Sequence, residues 1–127
     1  MKVIRLYYKG ESVNILKIEW LYTVDVRYIL CLVKLKDSYM YALVYHSRKT
    51  QPVKVKVEKP REVTWFLTEA TKVYDFDIIR VFNTGKSSEP IHYFVACEDG
   101  NLVFYGLKLQ SEVQKLIPIK KLELQGY

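Results

Sequence analysis

The stretch VRYILCLVKLKDSYMYALVYH, residues 26–46, decides the fold. Two apolar runs rich in β-branched and aromatic residues, Val26–Lys36 and Tyr39–His46, flank the polar dipeptide Asp37-Ser38. Runs of this composition separated by two turn residues predict a β-hairpin. Neither run approaches the roughly 18–20 apolar residues that a membrane helix needs. We therefore expect antiparallel strands and no contact with a membrane.

The hydrophobic pattern also predicts the register of this hairpin. A two-residue turn at Asp37-Ser38 places Lys36 opposite Tyr39 and Lys34 opposite Tyr41, which gathers lysines and tyrosines on one face. A three-residue turn would mix charge into the apolar face, because a one-residue slip moves every side chain to the other side. The apolar face then carries Ile29, Cys31, Val33, Leu35, Met40, Ala42 and Val44. The opposite face turns apolar away from the turn, so we expect it to be covered there.

Alternation with a period of two continues along the chain and predicts further strands. A helix that begins near Ser12 is the alternative to the second of these strands. Asp99-Gly100 predicts a type I′ turn, because both of its positions need positive φ, and this turn places Gly106 opposite Tyr93. The further predicted strands are Lys2–Tyr8, Asn14–Thr23, Val53–Glu58, Val73–Phe82, Ile91–Glu98, Asn101–Leu109 and, after a short helix or as part of one broken strand, Ile119–Leu124.

One segment has a helical pattern. Val63, Phe66, Leu67 and Ala70 recur at i, i+3, i+4 and i+7, the spacing of an amphipathic stripe, and predict a helix at about residues 61–71. The predicted fold class is therefore α+β and dominated by β: an antiparallel sheet of about eight strands, as a sandwich or a curled sheet, with one helix. The length of 127 residues fits a single domain, residues 1–127.

Positive charge is concentrated in the first half of the chain. Residues 1–64 hold 13 Lys and Arg against 6 Asp and Glu, a net charge of +7, whereas residues 65–127 hold 7 against 8, a net charge of −1. A one-sided excess attracts polyanions, although a lysine-rich surface also serves solubility alone.

The basic residues of the first half are interleaved with tyrosines. This combination predicts a binding surface for single-stranded DNA or RNA. Ammonium groups bind phosphates and phenol rings stack on bases, while the competing interpretation is cross-strand packing of the tyrosines. The predicted nucleic-acid-binding residues are Lys34, Lys36, Tyr39, Tyr41, Arg48, Lys49, Lys54 and Lys56.

Catalytic and ligand-binding motifs are weak. Gly85-Lys86-Ser87 lacks the preceding glycine and following helix of a phosphate loop, so we expect no nucleotide. The two histidines have no metal-ligand spacing. His92 and Cys97 are five residues apart on one predicted strand, which separates their backbones by about 16 Å. Asp75 and Asp77 are more typical of a polar strand start than of a cation site. We therefore predict a non-catalytic protein without metal or cofactor.

Self-assembly is the alternative function. Edge strands of a β-rich chain can pair with another copy, and aromatic residues are favoured in interface cores, which fits a homodimer or a subunit of a complex. Two cysteines, no glycosylation sequon and a charged amino-terminal segment favour a cytoplasmic protein. The sequence is also compatible with a Cys31–Cys97 disulfide. The lysine-rich composition is compatible with a thermophilic source.

Overall fold

The computed structural model describes residues 5–23, 26–48, 63–79, 91–109 and 114–123, and all of their regular structure is β. The chain divides into two compact units, residues 1–69 and 70–127, which we call unit 1 and unit 2. Each unit contains a four-stranded antiparallel meander. The expectation of one domain over residues 1–127 stays a prediction. The strands are β1 Tyr7–Tyr8, β2 Glu11–Ser12, β3 Asn14–Tyr22, β4 Val26–Leu35, β5 Ser38–Arg48, β6 Val63–Leu67, β7 Val73–Ile79, β8 Ile91–Glu98, β9 Asn101–Lys108 and β10 Lys115–Glu123.

The predicted helix at residues 61–71 is wrong, and with it the α+β class. Val63–Leu67 is strand β6, which pairs with β5 at the edge of the unit 1 sheet. Val63 and Trp65 pack against one apolar cluster, while Phe66 is buried on the opposite face. Leu67, which a helical stripe would bury, is 70% exposed. The protein is all-β in its described part, with ten strands in three antiparallel sheets.

The β4–β5 hairpin has the predicted faces but a different turn. Lys36 and Asp37 form the turn, and Lys34 lies opposite Tyr39 rather than Tyr41. The pairing is shifted by two residues from the predicted register. Because side chains alternate with a period of two, this shift leaves every side chain on its predicted face.

Both faces of the unit 1 sheet are buried at its centre. On one face the β1–β2 hairpin contributes Leu6 and Val13 to a cluster with Val33, Met40 and other apolar residues of β4 and β5. On the other face the apolar positions Leu30, Leu32 and Leu43, away from the turn, are also buried, as predicted. Tyr41 is buried beside them, although we predicted it on the water-facing part of this face.

The unit 2 sheet has the order β10-β9-β8-β7 and one buried face. That face carries Phe94 and Tyr105, whose stacked rings lie 5.0 Å apart between centroids. It also carries Glu98, whose Oε2 accepts a hydrogen bond from the Tyr105 hydroxyl. The other face of this sheet is apolar but only partly covered, as described below.

Two hairpin turns use glycine as expected for type I′ geometry. Asp99 (φ 51°) precedes Gly100 (φ 81°), which confirms the predicted turn, and Lys9-Gly10 has the same conformation. The Asp99 carboxylate also accepts hydrogen bonds from the Thr71 hydroxyl and from the backbone N–H groups of Thr71 and Lys72. These bonds lower its pKa, the Thr71 hydroxyl contributing most. The turn thereby fixes the segment that enters β7.

The remaining strand predictions divide into three groups. Asn14–Tyr22 is a strand and not a helix, and the tail is one strand with an irregularity between Pro118 and Lys120. Within the predicted first strand, Tyr7–Tyr8 is β1 and residues 2–4 lie outside the described residues; within the predicted Val73–Phe82, Val73–Ile79 is β7 and residues 80–82 lie outside them. The predicted strand at residues 53–58 lies outside the described residues. Both cysteines are free, so no Cys31–Cys97 bridge is present.

Candidate interaction surface

The β4–β5 hairpin brings together part of the predicted nucleic-acid site. Lys34 and Tyr39 are both half-buried, and the Lys34 Nζ lies 5.4 Å from the centroid of the Tyr39 ring. Lys36 occupies the exposed turn, where its Nζ lies 3.3 Å from Glu11 Oε1 on β2. Lys34, Lys36 and the Tyr39 ring therefore form an accessible basic face. In unit 2, Gly106 lies opposite Tyr93, as the predicted turn requires.

Of the other predicted site residues, Tyr41 does not add to this face. Tyr41 has 0% exposure, because it lies farther from the turn on the covered part of the sheet, and its ring cannot stack on a base there. Arg48 ends strand β5. Lys49, Lys54 and Lys56 lie outside the described residues.

A different surface stands out in unit 1. Strand β3 lies at the edge of the sheet, with β4 as its one neighbour among the strands described. Buried Leu21 anchors it to the unit. Five large apolar side chains of this nine-residue strand are nevertheless exposed: Ile15, Leu16, Ile18, Trp20 and Tyr22. We call these five side chains, with the strand that carries them, the β3 edge.

Aromatic contacts organise one end of the β3 edge. The Trp20 and Tyr22 rings are nearly parallel, with centroids 6.2 Å apart, and His46 on β5 meets Trp20 edge-on at 5.1 Å. Arg27 Cζ lies 6.0 Å from the centroid of the Tyr22 ring. Rings that pack on one another lose little conformational freedom on binding, so this arrangement favours a contact surface.

Strand β3 also carries a pair of opposite charges. Lys17 Nζ lies 3.6 Å from Glu19 Oε1, and each side chain is about one-third exposed. Both stand on the face opposite Ile18, since side chains alternate along a strand. The strand therefore presents a balanced charge pair on one face and an apolar row on the other.

Sequence reasoning identified β3 as a strand but did not identify its exposure. The alternation of Ile18, Trp20 and Tyr22 with Lys17 and Glu19 is typical of a half-buried strand whose apolar residues face a core. Whether a core covers them depends on distant parts of the chain. The sequence feature that could have indicated an exposed surface is the aromatic pair Trp20 and Tyr22 on one strand beside the charges of Lys17 and Glu19.

The titratable residues of the described segments do not converge on a catalytic geometry. Burial raises the pKa of the Cys31 thiol to about 11, which disfavours the reactive thiolate. His92 and Cys97 lie on opposite faces of β8, and burial lowers the pKa of His92. Cys97 lies opposite Asp75 on β7, whereas thiol nucleophiles are activated by a histidine or a cationic neighbour. The prediction of a non-catalytic chain stays a prediction.

Within the described residues, no three His, Cys, Asp or Glu side chains cluster closely enough to hold a metal ion. The same segments contain no helix with the length and apolarity to span a bilayer. Comparison with protein-family models, with curated proteins and with solved structures found no match for this chain.

Proposed function

We propose that the protein is a non-catalytic assembly module that pairs with a second copy of itself along the β3 edge. The supporting observation is five exposed apolar side chains on one nine-residue edge strand. A long edge strand with exposed apolar side chains is a template for pairing with another strand. Pairing with a second β3 removes the apolar row from water.

The charges of β3 select one register for this pairing. When two antiparallel β3 strands are related by a twofold axis through Ile18, Lys17 of each copy lies opposite Glu19 of the other. A shift by two residues, the smallest that keeps equivalent faces together, places either two Lys17 or two Glu19 side chains opposite each other. Opposite charges stabilise a cross-strand pair and like charges destabilise it. Trp20 of each copy then lies near the segment that precedes Lys17, where β3 has an irregularity between Ile15 and Lys17, and extends the apolar contact.

Charge reversal tests this register. Glu19→Lys alone, or Lys17→Glu alone, turns both cross-strand ion pairs of the dimer into like-charge pairs. Each pair that loses its attraction or gains a repulsion weakens association by roughly 0.2–1 kcal/mol. We expect each single variant to raise the dimer dissociation constant about tenfold. The double variant exchanges the two charges and should restore the wild-type constant. Sedimentation equilibrium measures all three.

The matched control is Glu69→Lys, which changes the net charge as Glu19→Lys does at an exposed residue outside the strands. It should leave association unchanged. A wild-type chain that stays monomeric up to its solubility limit contradicts the proposal. A double variant as weak as the singles contradicts the register.

A second candidate function is contact with single-stranded DNA or RNA at the basic face of Lys34, Lys36 and Tyr39. The lysine beside a half-exposed ring supports it, because single-strand binders combine cations for phosphates with rings for bases. We expect a fluorescent oligothymidylate to bind at low salt and to dissociate as salt rises.

The double variant Lys34→Gln with Lys36→Gln should weaken that binding. Lys72→Gln is the control, since Lys72 Nζ also lies over a tyrosine ring, 4.6 Å from the centroid of Tyr74 in unit 2. Absence of binding at low salt contradicts this candidate, and equal losses in both variants would reduce it to non-specific charge attraction.

A further inference from the structure

The second face of the unit 2 sheet, which we call the open face, is apolar where an antiparallel sheet facing water normally carries polar side chains. Tyr93 and Val95 on β8, and Phe104 on β9, stand on it at intermediate exposure. Ile117 and Ile119 of β10 are 41% and 56% exposed. Ile119 Cδ1 covers Gly106 from this side. A contiguous apolar patch of this kind marks an interaction site.

Charges flank the open face with opposite signs. Asp77 on the β7 edge lies opposite Val95, Val95 lies opposite Phe104, and Phe104 lies opposite Lys120 on the β10 edge. The four side chains thus form one cross-strand row that runs from an acid through two apolar residues to a base. Asp77 and Lys120 are both exposed.

We propose that the open face binds the open face of a second copy, with the twofold axis parallel to the strands. With this axis, the row of the second copy lies over the row of the first in the opposite order. Asp77 of each copy therefore faces Lys120 of the other, and Val95 faces Phe104. A twofold axis perpendicular to the strands in the same plane would instead place Asp77 over Asp77. Charge complementarity therefore selects both the occupant and the axis.

The size of the face sets the expected strength. Four strands at ~4.8 Å spacing and eight residues at ~3.4 Å rise give about 500 Å² in each copy. The total lies near the lower end of specific protein interfaces, which corresponds to a weak, reversible dimer. This surface belongs to unit 2 and does not depend on the β3 edge of unit 1.

The test is a charge exchange measured in the Glu19→Lys background, in which pairing along the β3 edge is weakened about tenfold. Asp77→Lys or Lys120→Asp alone should raise the remaining dimer dissociation constant at least tenfold, and the double exchange should restore it. Glu69→Lys, which carries the same charge change outside the sheets, should have no effect. Ile119→Glu should weaken the dimer without unfolding the chain, because this side chain is already more than half exposed.

Circular dichroism of each variant establishes that the fold is retained. Association that is lost in both single variants and regained in the exchange supports the proposal. A monomeric Glu19→Lys chain at its solubility limit overturns it, and so does a dimer that Asp77→Lys and Ile119→Glu leave intact. Because every chain compared here carries Glu19→Lys, the differences among these chains report on the open face and not on β3 pairing.

Discussion

At the scale of single residues, Tyr105 shows how a buried polar group is accommodated in unit 2. Its ring stacks on Phe94, and its hydroxyl donates to the buried Glu98 carboxylate. A hydrogen bond to a charged group contributes about 1.5–3 kcal/mol, and a buried acceptor that loses its donor bears the desolvation cost. The alternation of β8 and β9 indicates which residues share a face, but it does not indicate that a carboxylate on that face finds a phenol.

We expect Tyr105→Phe to lower the free energy of unfolding by about 1.5–3 kcal/mol, because it removes only the donor to Glu98. Urea unfolding followed by far-ultraviolet circular dichroism measures the change. Tyr74→Phe is the matched control, since that ring is 59% exposed, and its effect should stay within about 0.5 kcal/mol. Equal effects of the two variants would contradict a stabilising role for the Tyr105 hydroxyl.

At the scale of strands and turns, β6 shows the limit of periodicity. Its residues include β-branched Val63 and Thr64 and the aromatic pair Trp65 and Phe66, all typical of strands. Because both faces of the strand are used, the apolar positions form a nearly continuous run. Such a run contains the helical spacing and the strand spacing at once, and pairing with β5 decides between them.

The β4–β5 hairpin shows the opposite case. Alternation predicted both faces correctly, because the pattern depends only on whether a position is odd or even. It did not predict the turn, which depends on the residue that adopts positive φ. That residue is Lys36 (φ 52°), although the short polar side chain of Asp37 tolerates positive φ better than lysine does.

The Asp99-Gly100 turn gives a test at the same scale. Gly100 has φ 81°, and a Cβ at this position would meet nothing within 4 Å. Any cost of Gly100→Ala is therefore backbone strain, about 1–2 kcal/mol of unfolding free energy. Gly100→Asn should cost less, since asparagine tolerates the left-handed region. Thermal unfolding of both variants measures the difference, and an alanine variant as stable as wild type would contradict the type I′ assignment.

At the scale of the whole molecule, two meanders follow one another along the chain. The order β3-β4-β5-β6 in unit 1 matches the sequential order of β7 to β10 in unit 2. Tyr41-Ala42-Leu43 and Tyr105-Gly106-Leu107 occupy the third strand of each, and both tyrosines are buried. Duplication of one meander and the common patterning of hairpins both account for this correspondence.

Among the described residues, each unit also has an accessible apolar surface, the β3 edge in unit 1 and the open face in unit 2. The alternation of apolar residues identifies the strands of both surfaces, but it does not identify their exposure, which depends on what the rest of the chain covers. Pairing at both proposed surfaces would link copies into a closed tetramer or a longer array. Loss of either surface should reduce the assembly to a dimer.

Sedimentation velocity of four chains tests this account most directly: wild type, Glu19→Lys, Asp77→Lys and the combination of both changes. We expect species larger than a dimer for wild type, a shift toward dimers for each single variant and a shift toward the monomer for the combination. A wild-type monomer, or four chains with the same sedimentation coefficient, would contradict assembly through these two surfaces.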